Sequence, residues 1–393
     1  MRPGSARRSP RPPAGSSCRP ASAAAGSSTC SPGSSSRASA EPPAMLSSRS
    51  LPFRALTALL LLAAGAAGCD PRAEHVLSGR TMGTTYSVKL VGRPWSGTEA
   101  LQKKIDRRLA ELNRSLSPFL PESEISRFNR FAAAGEAFVV SADFRRVFEA
   151  AQRVHGWSGG AFDPTVGPLV DLWGFGRGKP RAEPPSEEEI ARARAAVGLS
   201  RVSLRGEAGL VKEDPRVSLD FSAVAKGYGV DEVARLLREA GWRDFLVEIG
   251  GEVFAAGRRR DGAPWHIGIA RPDSRARPDE VYRVVALSDA ALATSGDYRQ
   301  FFVHEGRRYS HVVDPQSGRP VARGVVSASV LAPDCMTADA LATAVMVLGA
   351  EEGIALLERL ENVEGLILVE TAEGGLLERV TSGFPPPAEP RPR

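Results

Sequence analysis

The chain has 393 residues, of which 42% are hydrophobic and 25% charged, with a formal net charge of +5. That charge belongs to the leader: residues 1–68 carry eight arginines and one acid, and the rest, 43 basic against 45 acidic residues, has a net charge of −2, which excludes a nucleic-acid binder on charge grounds. Of the four cysteines, Cys18 and Cys30 lie in the leader and Cys69 at its end, leaving Cys335 alone, so no disulfide framework exists and stability must come from a conventional core.

Residues 1–44 are Ser, Pro, Ala, Gly and Arg without apolar periodicity, a composition that cannot offset its ordering entropy. They read as a low-complexity leader or as a start mis-assigned upstream of Met45. Arg49 and Arg54 then precede the apolar run Ala55–Gly68, the pattern of a secretory signal over 45–68 and too short for a permanent span. Ala66-Ala-Gly-Cys69 resembles the bacterial lipobox, which implies export and lipidation at Cys69. Asp70 behind it hints at an inner-membrane lipoprotein facing the periplasm, or the outer face of the cell membrane.

From residue 69 to 383 the chain reads as one large domain, with a Pro-rich tail over 384–393. Tyr86, Val88 and Leu90 alternate as a strand, preceded by Arg80-Thr-Met-Gly-Thr-Thr85, where glycine permits close backbone approach. Leu101 to Leu116 and Phe144 to Val154 keep helical spacing, and Ser186-Glu-Glu-Glu189 is a capping box that opens a third helix ending near Gly198. Strands are expected at 202–204, 210–211, 217–221, 245–249, 253–256, 265–269, 281–287, 325–331 and 366–369. A helix is expected over 223–240, helical continuation over 354–360, and a hairpin from 301–304 with 308–313. The sum is α+β with a mostly antiparallel sheet and flanking helices.

Asp334 to Gly349 has the length of one helix and almost no polar side chains. Asp339 and Thr343 are the exceptions, four apart and so on one face. A buried ionised carboxylate costs several kcal/mol unless compensated. A hard cation would do so, and carboxylate plus hydroxyl suits Mg²⁺; equally, a neighbouring side chain could satisfy the Asp while the Thr bonds to its own preceding turn.

No G-x-G-x-x-G or Walker A sequence is present, so a phosphate would need another cradle. Ser218 to Tyr228, where a strand is expected to enter a helix, offers free amides and Lys226, although Asp220 would repel an anion and an ordinary capping cluster reads the same way. Gly159 to Phe175 is rich in Gly, Pro and aromatics: a loop that could surround a flat ring, with Asp163 towards ring nitrogens or ribose hydroxyls, or a packed surface loop. His311 could serve as a base or as a hydrogen-bonded structural residue, and Asp297 carries the same ambiguity.

Taken together, Met82-Gly-Thr84, Ser123 to Asn129, Ala161 to Val170, Asp220 to Asp231, Glu248-Ile-Gly-Gly251, Thr294 to Tyr298, His311 to Pro315 and Met336 to Thr343 resemble the ApbE-type flavin transferases. The resemblance implies a T-fold-like domain that uses Mg²⁺ to split FAD, its substrate, and joins the FMN half to a Thr or Ser hydroxyl of an acceptor protein, releasing AMP. It implies metal ligation by the Ala223 carbonyl, Asp339 and Thr343. FAD contacts carry over to Met82, Phe119, Ala161, Phe162, Asp163, Asp220, Lys226 and the backbone near Val312. His311 is the expected base with Asp297 as substitute, and Lys226 would stabilise charge on the phosphates. The acceptors it suggests are flavin-carrying proteins of membrane redox complexes. An FAD pyrophosphatase giving FMN and AMP, and a non-catalytic flavin-binding lipoprotein, are the alternatives.

Overall fold

The computed structural model describes residues 72–92, 97–273, 277, 280–298 and 300–388, so the leader, the signal peptide and Cys69 lie outside the described residues. Eight strands make one large sheet: β1 (Glu74–Thr81), β2 (Thr84–Val91), β3 (Asp244–Ile249), β4 (Glu252–Ala256), β5 (Ala290–Gly296), β6 (Val325–Ala332), β7 (Glu364–Glu370) and β8 (Leu376–Val380). They are arranged in chain order, each antiparallel to its neighbour. The α+β, mostly antiparallel expectation is borne out.

Helices among the described residues are α1 (Thr98–Leu116), α2 (Glu124–Arg130), α3 (Ala142–Trp157), α4 (Gly167–Leu172), α5 (Glu187–Arg194), α6 (Ala225–Glu239), α7 (Cys335–Leu348) and α8 (Ala350–Leu357). The α1 stripe of Leu101, Ile105, Leu109, Leu112 and Leu116 is buried as its spacing requires. Helix α6 packs on β3 and β4, α7 on β5 and β6, and α8 on β7, so all three cover the sheet. A hairpin of Trp265–Ala270 and Val281–Leu287 contributes Trp265, Ile267, Val285 and Leu287 to a second core with Leu292, Val326 and Leu366. Strands β4 and β6 are buried at every residue, as strands between two apolar layers must be.

The expected strand over 217–221 is not one. Val217, Leu219 and Phe221 are buried as alternation predicts, yet the segment pairs with a side chain rather than with a strand. Asn129 Nδ2 donates to the Leu219 carbonyl (2.8 Å) and the Leu219 N–H donates to Asn129 Oδ1 (2.7 Å). The same segment is held by Lys212, wholly buried, whose Nζ donates to the carbonyls of Asn129, Pro215 and Val217. The 301–313 hairpin is shorter than expected, pairing Phe301–His304 with Arg307–Ser310. The capping box at Ser186 and Glu189 forms in full. At the chain's far end, Phe384 is buried in the second core beneath the Arg283 guanidinium.

Candidate active site

The site grows from the crossing of α6 and α7. These helices approach so closely at Gly227 that a Cβ there would stand 2.3 Å from the Cys335 carbonyl oxygen, so only glycine fits. Close approach lets each helix cap the other. The Gly227 N–H, in the first turn of α6 and without an intrahelical acceptor, donates to Asp339 Oδ2 (3.0 Å). In return Asp231, on α6, accepts from the Cys335 and Met336 N–H groups at the start of α7 (2.8 and 2.9 Å). Asp334 caps α7 as well, accepting from the Thr337 N–H at 2.8 Å. Burial, and then the like charge of Asp334, push Asp231 up to about 7, although the two amides pull the other way.

Asp339 is 2% exposed and its second oxygen, Oδ1, lies 3.4 Å from Lys226 Nζ. Lys226 also pairs with Glu252 Oε1 at 3.1 Å, from the first residue of β4. Glu252 is 4% exposed, and its other oxygen, Oε2, is buried with no hydrogen-bond partner. Burial and the Asp339 charge push Glu252 up to about 8 against the pull of Lys226. Burial alone would lower Lys226, but the two carboxylates hold it above its ordinary value. One turn along α7 the Thr343 hydroxyl meets Ser295 Oγ of β5 at 3.1 Å rather than its own preceding turn.

This donor set fits a hard cation. It consists of carboxylate and hydroxyl oxygens, it sets two buried carboxylates against one ammonium, and it contains an orphaned oxygen at Glu252. Among the described residues no three His, Cys, Asp or Glu side chains gather as a metal cluster. Mg²⁺ is commonly held by one or two carboxylates, with waters and substrate phosphates completing its shell.

Met82 sits at the β1–β2 turn with φ +48°, and its Sδ and Cε lie against Gly229 of α6. Gly250, in the β3–β4 turn at φ +65°, leaves room for Thr84 and for the Lys226 stem, whose Cδ would lie 3.4 Å from an added Cβ. Thus the Met82-Gly-Thr84 and Glu248-Ile-Gly-Gly251 motifs are brought to Lys226. His311 is placed by the hairpin that packs Phe302 and Tyr309 on Trp173. Its Nδ1 lies 3.3 Å from the Gln300 carbonyl, which can only accept, so the proton sits on Nδ1 and Nε2 keeps its lone pair. Burial first, and then the positive charge of Lys226, lower its pKa. Asp297 is engaged: Arg308 donates to its carboxylate at 2.9 Å and to its carbonyl at 2.8 Å. Burial raises Asp297 although Arg308 opposes the shift.

The remaining expected contacts lie in the fold as follows. Asp163 is buried, and its Oδ1 accepts from the Thr165 N–H and hydroxyl while Leu199 N–H donates to Oδ2. Ala161 and Phe162 are buried beside it. Asp220 accepts from the Ser222 N–H at 2.8 Å, and its own N–H donates to the Pro164 carbonyl, which ties the Asp163 loop to the start of α6. Ala223 is half-buried just ahead of α6. Val312 is buried and its carbonyl accepts from Val321. Phe119 is 65% exposed and, with Pro118, Pro121, Ser126, Arg130 and Arg177, lines an open cavity of about 350 Å³ that none of Lys226, Asp339 or His311 borders. Glu252, Asp231 and Ser295 were not singled out from sequence. An acid opening the apolar run Val253–Ala256 was the signal for Glu252.

The family model of the ApbE family matches residues 82–367. The FAD:protein FMN transferase of Vibrio cholerae is 44% identical over 337 residues, covering 84% of this chain and 97% of that protein. The FAD:protein FMN transferase of Haemophilus influenzae is 37% identical over 329 residues, covering 82% and 94%. The solved structure of the flavin transferase ApbE from Vibrio cholerae superposes with a TM-score of 0.73 at 43% identity, covering 80% of this chain and 99% of that one.

Proposed function

The chain belongs to the ApbE family, and we propose that it is an FAD:protein FMN transferase that joins the FMN half of FAD to a Thr or Ser hydroxyl of an acceptor protein. The observation that carries this reading is the superposition on a flavin transferase across 99% of that chain's length. In the reaction the acceptor oxygen attacks the phosphorus on the riboflavin side, the bond bridging the two phosphates breaks, and AMP leaves. The acceptor's proton passes to His311 Nε2, which the Gln300 contact leaves as the free acceptor. Lys226, charged beside Asp339, is the local cation for the charge that develops on the phosphate oxygens.

Asp339, Thr343 and the Ala223 carbonyl are the proposed holders of Mg²⁺. When bound, the ion supplies charge stabilisation for the diphosphate. Support for this part comes from the oxygen-only donor set and from the single ammonium facing two buried carboxylates. Met82, Asp220, Phe119 and the Ala161–Asp163 loop are proposed to contact the flavin nucleotide. The test is single-turnover transfer with and without chelator: activity should vanish on chelation, return with Mg²⁺, and be missing from Asp339→Ala whatever the Mg²⁺ supply. Mg²⁺-stimulated transfer by Asp339→Ala would remove the proposed ligand.

We also propose export and lipid anchoring through Cys69, with acceptors among flavin-carrying proteins of membrane redox complexes. Metabolic labelling with an alkyne fatty acid should mark the wild type and not Cys69→Ala. Equal labelling of both would refute the anchor.

A further inference from the structure

Lys226 bridges two carboxylates unequally. Its Nζ is 3.1 Å from Glu252 Oε1 and 3.4 Å from Asp339 Oδ1, so the shorter contact is to a residue outside the proposed metal ligands. Asp339 does not depend on Lys226 for its position, because the Gly227 N–H holds its other oxygen. Glu252 has spare capacity: Oε2 is buried and accepts nothing. An ammonium has three donors and no preferred plane, so Lys226 could give Glu252 a second hydrogen bond with a small rotation of its end. Gly250 places no Cβ against the lysine stem, whose Cδ would lie 3.4 Å from one.

Competition supplies the reason to move. Two buried carboxyl groups, those of Glu252 and Asp339, share one ammonium. A divalent cation arriving at Asp339 would repel an ammonium in contact with the same carboxylate. We propose that Lys226 is the resident counter-cation of Asp339 in the metal-free protein, and that Glu252 is a positioning residue that takes Lys226 over when the divalent cation binds. The inference rests on the Mg²⁺ reading above. Cation binding is therefore a competition with Lys226, and Glu252 sets its outcome by offering the displaced lysine a partner.

The experiment measures Mn²⁺ affinity by electron paramagnetic resonance on flavin-free protein, with circular dichroism to establish folding. Asp339→Asn should lose the site, which tests the metal reading by itself. Lys226→Met, by removing the competitor, should bind Mn²⁺ roughly 10-fold more tightly than wild type, and Glu252→Gln roughly 10-fold more weakly, the scale seen when residues supporting a metal ligand are changed. In the Lys226→Met background the Glu252→Gln penalty should largely disappear. If Asp339→Asn loses the site while Lys226→Met binds no tighter than wild type, the competition is refuted and the metal reading survives. If Glu252→Gln costs the same with and without Lys226, Glu252 does not act through the lysine and the proposal falls. Should Glu252→Gln fail to fold, the Lys226→Met comparison decides alone.

Discussion

At the scale of single residues, the protonation state of His311 follows from one contact. With Nδ1 donating to the Gln300 carbonyl, the neutral ring offers Nε2, and burial together with Lys226 keeps it neutral to lower pH than a solvated histidine. The midpoint of the acid limb of the transfer profile is therefore expected below about 6.5, the ordinary histidine value. A rate that halves near pH 7 would contradict this. His311→Ala should bind FAD with near wild-type affinity and transfer on the order of 100-fold more slowly, the usual reach of general-base catalysis; unchanged transfer would move the base elsewhere. Asp297 is poorly suited as its substitute, since Arg308 occupies its carboxylate. The Asp339–Thr343 pair was legible in sequence because two polar residues four apart stand out in an apolar helix. Glu252 and Asp231 were not, because their partners lie far along the chain: Lys226 beyond strand β3 and most of helix α6, and the α7 amides more than a hundred residues away.

At the scale of elements, α6 and α7 depend on each other for their N-terminal caps, so damage at one helix should reach the other. Asp231→Ala strips two buried amides of their acceptor and should cost roughly 1–3 kcal/mol in denaturant unfolding. Loss below that range would mean water replaces the carboxylate. The pKa of Asp231 also gives a sign. Its folded value, about 7, lies above its unfolded one, so between about 4 and 7 the folded protein holds a proton that the unfolded chain has released. This group's contribution to stability is thus fully present below pH 4 and is lost as pH rises towards 7. Asp231→Asn should flatten that part of the stability profile, and an unchanged slope would refute the assignment. Other elements resisted reading from sequence for physical reasons. β5, Ala-Ala-Leu-Ala-Thr-Ser-Gly, lacks the bulky β-branched pattern that marks a strand and becomes one only between β4 and β6. Residues 217–221 have the alternation of a strand, but Asn129 supplies the hydrogen bonds a neighbouring strand would have made.

At the scale of the molecule, the chain-ordered antiparallel sheet is a rigid backing for α6 and α7, and apolar layers on both faces fix its central strands. The alternation at β2 and the stripe on α1 made the α+β class readable early. The membership in one family was readable too, because eight short motifs occur in order from Met82 to Thr343, and the fold gathers several of them at Lys226. What lay beyond the sequence was the pairing of those motifs in space. Transfer of a flavin nucleotide to another protein is read directly by mass spectrometry. With FAD, Mg²⁺ and a candidate acceptor domain, the acceptor should gain one FMN on a Thr or Ser for each AMP released. AMP and free FMN accumulating beside an unmodified acceptor, across every acceptor domain supplied, would contradict the account and make the protein an FAD hydrolase.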